Sequence, residues 1–327
     1  MPTAGLNVSV GIDAGSHSSK LAGDGKVIAS FSGFDLLKLR EEAEIYFDEP
    51  VFSCVIAVPD SFGIGQRGEL NFTAKKSGFK NIEIIQQREA VSNALDSDSK
   101  ILACDFGASK IEFMFFQDSE FVDGEIIEDV CGSEFDRIFA GWLRERFTLN
   151  LIKEKELLEL AEKFKIELSQ KEILTWREVN IAREDFERLI YFQVKRASHT
   201  LERFIKCFNP ERFIMTGSCA EIPLAKKIFS GLFPKTEFIK NLAALGASAK
   251  ADSLSSARER RQRSDINAKL REIRGSLMSL EDLLTRKQKD RLYFLFRQAE
   301  GILPGNPALI KLLENLISEI RTADLKR

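Results

Sequence analysis

Short apolar runs alternate with longer amphipathic segments along most of the chain. Runs bounded by glycine or proline are predicted to be strands, as where Val51–Val58 stops at Pro59. Apolar residues at three- and four-residue steps predict helices. The predicted strands cover residues 7–12, 19–22, 26–31, 51–58, 82–85 and 212–215, with two more in 101–116. The predicted helices lie near 35–47, 65–77, 88–96, 134–147, 154–168, 183–208, 222–232 and 242–254. This alternation indicates an α/β architecture.

The pattern changes after about Ala257. A basic run, Arg258–Arg263, is followed by leucine and isoleucine at helical spacing, with a turn at Pro304–Pro307. No strand pattern interrupts it, so residues 255–327 are predicted to be a helical C-terminal domain.

Composition supports a folded chain with more than one part. The 327 residues are 44% hydrophobic and 30% charged, which is enough apolar material for a sizeable core and about two domains. The net charge is −2, but residues 251–327 hold 16 basic and 11 acidic side chains, leaving 32 basic and 39 acidic elsewhere. An acidic body therefore precedes a basic tail, and no global basic field points to nucleic acid.

Cysteine usage and the termini indicate a cytoplasmic protein. Five cysteines without CxxC spacing are expected to be reduced, and mostly buried, while two histidines make a zinc site improbable. The N-terminal residues carry no basic and apolar targeting signal, and no apolar run approaches the ~18 residues of a membrane span.

Two segments about ninety residues apart repeat one pattern: an apolar strand ends in aspartate, glycine follows two residues later, and serine and lysine come next. The first contains Asp13 and Gly15 and ends at Lys20; the second contains Asp105 and Gly107. Glycine turns present backbone N–H groups to phosphate, and two carboxylates are enough to hold hydrated Mg²⁺. Lysines in both segments would neutralise phosphate charge. This repeated pattern predicts a duplicated domain with a cleft between its halves.

These segments, taken in order, resemble the ATPase domain of the DnaK-type (heat-shock-70 family) chaperones, members of the actin-like ATPase superfamily. The resemblance spans residues 7–254. Its motifs are VGIDAGSHSSKLA (10–22), VIAVPDSFGIGQRGELNFTAKKSGF (55–79), CDFGASKIEF (104–113), CGSEFD (131–136), AEKFKIELSQ (161–170), IAREDFERL (181–189), FIMTGSCAEIP (213–223) and ALGASAKA (244–251).

The resemblance implies an actin-like ATPase fold of two duplicated lobes. Lobe I would cover about residues 1–98, lobe II about 99–240, and a closing helix would run to 254, before the helical segment 255–327. The first lobe lacks its large insert subdomain, because only Gly33–Leu37 occupies that interval. That subdomain normally supplies a phosphate-binding lysine. In its absence, Lys20 or Lys110 is the candidate to replace that lysine. After Ala251 the sequence shows no apolar linker and no alternating strands, so the family's peptide-binding domain is not expected in this segment.

Site residues are carried over by position. Asp13 and Asp105 would hold Mg²⁺ through water, and Asp105 would lie near the attacking water. Glu89 is the candidate acidic residue near that water, with Gln87 as its competitor. Glu221 stands where an arginine usually stacks on adenine. The implied phosphate-binding residues are Gly15, Ser16, His17, Ser18, Gly107, Ala108, Ser109 and Lys110. The implied adenosine-binding residues are Gly132, Glu162, Lys165, Ser169, Gly217 and Ser218.

The implied function is binding of ATP or ADP with Mg²⁺ and slow ATP hydrolysis. The nucleotide state would control a protein partner, in a chaperone-like or regulatory role. That partner would bind the C-terminal helices or the region between the lobes, and a J-domain protein or an exchange factor is possible. Two alternatives stay open: a nucleotide-gated or catalytically dead interaction module, and an actin-like filament protein.

Overall fold

The computed structural model describes residues 8–15, 18–95, 99–149, 151–255 and Arg286. Val10–Lys250 forms one compact unit, whose fold follows, and the other described residues belong to a second unit. The predicted C-terminal helices lie outside the described residues, apart from Arg286.

The strands are β1 (Ser9–Ala14), β2 (Ser18–Gly23), β3 (Lys26–Ser32), β4 (Ser53–Val58), β5 (Asn81–Gln86), β6 (Lys100–Phe106), β7 (Ile111–Gln117), β8 (Glu120–Ile127), β9 (Ile173–Trp176), β10 (Val179–Ala182), β11 (Arg212–Thr216) and β12 (Thr236–Phe238). The helices are α1 (Leu36–Phe47), α2 (Ile64–Lys76), α3 (Gln87–Asn93), α4 (Gly132–Arg146), α5 (Glu154–Gln170), α6 (Arg183–Phe208) and α7 (Pro223–Leu232). A 3-10 turn covers Ser218–Glu221, and a closing helix covers residues 242–255.

Two five-stranded sheets share one topology. Sheet I has the order β3-β2-β1-β4-β5, and sheet II has the order β8-β7-β6-β11-β12. Each begins with an antiparallel three-stranded meander and ends with two strands reached by crossover connections. The predicted duplication is therefore present: each sheet, with its helices, forms one lobe of an actin-like ATPase fold.

Burial explains why the central strands read as continuous apolar runs. Every residue of β1 and β4 is buried, as expected for strands covered on both faces. The hairpin between β2 and β3 turns at Asp24 and Gly25, whose φ angles of 50° and 69° suit a two-residue hairpin turn.

Phenylalanine dominates the core of lobe II. The ring of Phe113 on β7 stacks on Phe204 of α6 and on Phe229 of α7, at centroid distances of 6.1 and 6.3 Å. Phe106, which directly follows Asp105, packs on Phe229 and on Phe135 of α4. These rings anchor the end of β6, and so position the carboxylate that precedes Phe106.

Glycines allow the closing helix to pack directly against backbone. A Cβ at Gly246 would lie 1.7 Å from the carbonyl oxygen of Ala90 in α3. One at Gly11 would lie 2.1 Å from the backbone nitrogen of Ser248. The helix therefore touches both β1 and α3, two elements of lobe I that carry candidate site residues.

Gly246→Ala should lower the free energy of unfolding by about 1–3 kcal/mol, because the added methyl meets backbone that has to move. The matched control is Gly141→Ala in α4, where a Cβ would meet nothing within 4 Å. That variant should be up to about 1 kcal/mol more stable than wild type, since alanine is the better helix former. Urea unfolding of both variants measures the contrast, and equal midpoints would contradict the packing described.

The helices predicted between residues 35 and 254 and the strands of both hairpin groups are confirmed, with shifts of a few residues at their ends. Four strands were not predicted: β8, β9, β10 and β12. β8 is the exposed edge of sheet II and carries acidic residues, so it lacks an apolar run. β9 and β10 form a separate two-stranded sheet of four-residue strands, too short for a periodic pattern.

In the part of the chain that the structure describes, no helix combines the length and the apolar character needed to cross a membrane.

Candidate functional site

The two repeated hairpins place acidic and basic side chains on facing positions. In the antiparallel pair β1–β2, Asp13 lies opposite Lys20; in β6–β7, Asp105 lies opposite Glu112. Opposite residues of a ladder project from the same face of the sheet. The first hairpin therefore pairs opposite charges, while the second opposes two carboxylates.

These carboxylates form ion pairs with lysines and accept a hydrogen bond from a glutamine side chain. Lys20 Nζ lies 3.2 Å from Asp13 Oδ2, and Lys110 forms an ion pair with Glu112. Gln87 donates from Nε2 to Asp105 Oδ2 over 3.0 Å. Both hairpins and the start of α3 thus meet at one polar cluster.

Asp105 has the most perturbed carboxyl group of this cluster. Burial, together with the negative charge of Asp13, raises the pKa of Asp105 from 3.8 to about 6. Glu112 raises this pKa as well, while Lys20 and Lys110 lower it. A carboxyl group with this pKa exchanges its proton closer to neutral pH than an ordinary aspartate does.

Three glycines bring backbone close to the charged groups. A Cβ at Gly217, where φ is +89°, would lie 2.4 Å from Asp105 Oδ1. One at Gly15 would lie 4.0 Å from Lys20 Nζ, and one at Gly132 would lie 3.3 Å from Lys165 Nζ. Larger residues at Gly217 or Gly132 would fill space beside these groups.

The N-terminus of α4 is docked on the second hairpin. The backbone N–H of Gly132 donates to Gly107 O over 3.1 Å, and that of Ser133 donates to Ala108 O over 2.8 Å. Lys165 of α5, only 7% exposed, donates to Gly132 O and forms a 2.7 Å ion pair with Asp136. α4, α5 and the hairpin turn are therefore held as one unit.

The remaining predicted residues fall into four groups. Ser16 and His17 lie outside the described residues. Ser18 begins β2, Ser109 is exposed at the turn of the second hairpin, and Ser218 begins the 3-10 turn after Gly217. On α5, Glu162 is exposed and Ser169 Oγ donates to the carbonyl of Lys165. Glu221 pairs with Lys226 and Lys240, and these lysines lower its pKa against the effect of burial.

The two candidates on α3 have different surroundings. Gln87 is 9% exposed and contacts Asp105, as described above. The side chain of Glu89 is 46% exposed, and its Oε1 lies 3.4 Å from Lys250 Nζ on the closing helix.

Sequence reasoning missed three members of the site region. Glu112 and Asp136 each provide the carboxylate for a predicted lysine. Arg88 contacts Gln86 and Asp60 and lies over the ring of Phe121 on β8. The sequence held a signal for two of them: Glu112 is a charged residue within the otherwise apolar strand β7, and Asp136 ends the CGSEFD motif.

Four of the five cysteines are buried, and Cys207 on α6 is exposed. Burial raises the pKa of the Cys54 and Cys219 thiols to about 12, so both are protonated at neutral pH. The expectation that the cysteines are mostly buried is confirmed.

The donor set fits a hydrated magnesium ion. Among the described residues, no group of three or more His, Cys, Asp or Glu side chains is placed to hold a metal directly. Mg²⁺ retains several waters and needs one or two carboxylates with phosphate oxygens, which Asp13 and Asp105 can provide through water.

Duplicated lobes whose hairpins meet at such a cluster define the class of actin-like ATPase folds. A family model described as Hsp70 protein matches residues 18–266. The chain therefore belongs to the Hsp70 family.

Curated relatives agree with this membership. A chaperone protein HscA homolog of Haemophilus influenzae (strain PittEE) is 27% identical over 243 residues, 67% of this chain and 39% of that protein. The chaperone protein dnaK1 of Synechococcus elongatus is 27% identical over 268 residues, 68% of this chain and 41% of that protein. The chain thus matches about two fifths of the length of these relatives.

Proposed function

We propose that this protein binds Mg-ATP in the cluster between the two hairpins and hydrolyses it slowly. The observation that carries this proposal is the convergence of Asp13 and Asp105, from duplicated hairpins, with Lys20, Lys110 and three glycines that lie beside charged groups. Carboxylates for a hydrated cation, ammonium groups for phosphate and open backbone turns are the parts that phosphoryl transfer requires.

Each side chain has a role that its surroundings support. Bound Mg²⁺ would neutralise phosphate charge and help to orient the phosphates. Asp13 and Asp105 would hold its water ligands, and Gly15 and Gly107 would let phosphate approach the backbone closely. Asp105 would accept the proton of the attacking water, because its raised pKa brings its basicity near neutral pH.

Gln87 is the better candidate than Glu89 for the residue beside the reacting water. It contacts Asp105, whereas Glu89 pairs with Lys250. A carboxamide orients a neighbour by hydrogen bonding but does not take up a proton at neutral pH. Proton transfer would then depend on Asp105 alone, which supports slow turnover.

The nucleotide state is proposed to control a protein partner. Curated relatives are named as chaperones, and domain closure around a ligand is a common way to change the surface offered to a partner. A J-domain protein or an exchange factor is the kind of partner the proposal includes, in the cytoplasm. Residues 255–327, which the sequence predicts to be helical, are proposed as a separate domain that such a partner binds.

Titration calorimetry with the full-length chain tests nucleotide binding. Mg-ATP should bind, and chelation of the magnesium with EDTA should weaken binding, since the carboxylates then repel the phosphates without a cation between them. Single-turnover hydrolysis should proceed below about 1 s⁻¹, the lower end of typical enzyme rates. Absence of heat at millimolar Mg-ATP would contradict the proposal.

A catalytically silent interaction module is the second candidate, and Gln87 favours it. It predicts the same binding with no hydrolysis after prolonged incubation. The filament alternative would instead be supported by ATP-dependent pelleting of the same samples.

A further inference from the structure

A surface cavity lies between α6 and α7 of lobe II, and its lining residues are distinct from the polar cluster of the two hairpins. Its volume is about 350 Å³. Glu187 and Tyr191 line it from α6, and Leu224 and Lys227 line it from α7. Each pair is separated by about one helical turn, so its two side chains lie on the same helix face. The cavity is therefore formed by facing sides of two packed helices.

The α6 side of this cavity holds an acidic group without a partner. No donor of the described residues pairs with Glu187 Oε1, although this oxygen is buried. A buried carboxylate oxygen without a donor is costly, and such groups are usually hydrogen-bonded. Arg188, the next residue, lies 3.5 Å from Glu184 and 3.9 Å from Asp185. A cationic donor that entered the cavity would therefore find Glu187 available.

Aromatic rings surround the approach to Glu187. Tyr191 is 43% exposed and Phe192, which also lines the cavity, is 79% exposed. Their rings meet edge to face at a centroid distance of 5.7 Å, while Leu224 adds a buried apolar surface. Aromatic faces attract cations, and the planar, weakly hydrated guanidinium group stacks on them well. This combination suits an arginine side chain, whose stem packs on apolar atoms while its head binds a carboxylate.

Charge and exposure indicate where such an arginine would come from. The exposed rings leave the cavity accessible to a side chain presented on the surface of another protein. Residues 1–250 carry 32 basic and 39 acidic side chains, so the field of this part of the chain attracts a basic partner.

We propose that the cavity between α6 and α7 binds an arginine side chain of a protein partner. The guanidinium group donates to Glu187 and lies against the rings of Tyr191 and Phe192. This inference adds an interaction surface to the protein and does not depend on nucleotide binding.

Two acetylated and amidated tripeptides test the inference, one with arginine and one with citrulline between two alanines. Citrulline has nearly the shape of arginine but no charge. Each peptide is titrated into the full-length chain and followed by proton–nitrogen correlation NMR. The arginine peptide should bind with a Kd on the order of 1 mM and shift the amide signals of Tyr191 and Lys227. The citrulline peptide should bind at least about tenfold more weakly.

Glu187→Gln should raise the Kd of the arginine peptide at least about tenfold, because it removes the charge and keeps the side-chain shape. The matched control is Glu202→Gln, near the other end of α6 and outside the cavity lining, which should leave the Kd unchanged. Phe192→Ala should raise the Kd about two- to fivefold through loss of the cation–π contact. Urea unfolding reports whether each fold is intact, and Glu187→Gln should not lower the midpoint, since it removes a buried charge without a partner.

Lys227→Gln distinguishes a cationic from an anionic ligand. It removes a positive charge from the cavity lining, so the arginine peptide should bind more tightly. Weaker binding, equal affinity for the two peptides, or an unchanged Kd in Glu187→Gln would overturn the inference. Changes in the amide signals of the basic run Arg258–Arg263 when Glu187→Gln is compared with wild type, without peptide, would overturn a partner protein as the occupant. Nucleotide binding is measured separately by calorimetry, so failure of either proposal leaves the other standing.

Discussion

Asp105→Asn should reduce single-turnover ATP hydrolysis by at least about 100-fold, the scale of losing a general base. The asparagine oxygen can still accept the hydrogen bond from Gln87, so the local geometry should survive. Mg-ATP should therefore still bind, and the defect should lie in the chemical step. Quenched single-turnover assays with calorimetry on the same samples separate the two effects.

The control for this variant is Asp24→Asn, an exposed aspartate in the β2–β3 turn with φ of 50°. Asparagine tolerates the left-handed conformation, so this variant should hydrolyse ATP like wild type. Hydrolysis unaffected by Asp105→Asn would mean that the site is misassigned.

The same variant should change the pH dependence of stability. The pKa of Asp105 is raised in the folded chain, so between about pH 4 and pH 6 the folded state binds more protons than the unfolded state. The contribution of Asp105 to stability therefore falls as pH rises through this window and is least favourable above pH 6. Without nucleotide, Asp105→Asn should be more stable than wild type at pH 7.5, and the gain should shrink at pH 4.5. A gain that grows on acidification would contradict the raised pKa.

Lys165→Met should lower the free energy of unfolding by about 3–5 kcal/mol, because it removes the cation that faces the buried carboxylate of Asp136. It should also weaken Mg-ATP binding, since the same lysine holds Gly132 at the start of α4. Urea unfolding measures the first effect and calorimetry the second.

Lys163→Met on the same helix is the matched control. Lys163 is exposed, so its replacement should change stability by no more than about 0.5 kcal/mol. The double variant Lys165→Met/Asp136→Asn should recover much of the lost stability, because it no longer buries an unbalanced charge. Wild-type stability in Lys165→Met alone would show that the buried ion pair does not contribute.

Much of the architecture was predictable because buried elements show a regular spacing of apolar residues in the sequence. The fully buried strands β1 and β4 and the long helix α6 were found from apolar spacing alone. The edge strand β8 was not predicted, because it is exposed, carries charged residues and lacks an apolar pattern. The repeated Asp-x-Gly turns indicated that the chain contains two similar sheets, one in each lobe.

The site was only partly predictable. Asp13, Asp105 and Lys20 were recognisable because each lies in a short motif with its glycine. Gln87 and Glu89 are two residues apart, and the pattern did not separate them. Their separation depends on α3, which directs Gln87 to Asp105 and Glu89 to Lys250.

The duplicated α/β architecture, the glycine turns and the charged residues beside them follow from the amino-acid sequence, because each is a local pattern within one segment. Which charges meet depends on how separate segments pack. Lys165 pairs with Asp136 and Lys110 with Glu112, whereas Lys20 keeps a looser contact with Asp13 beside the Gly15 turn. Ion pairing and pKa values depend on distance and burial, which arise only when separate segments are packed together.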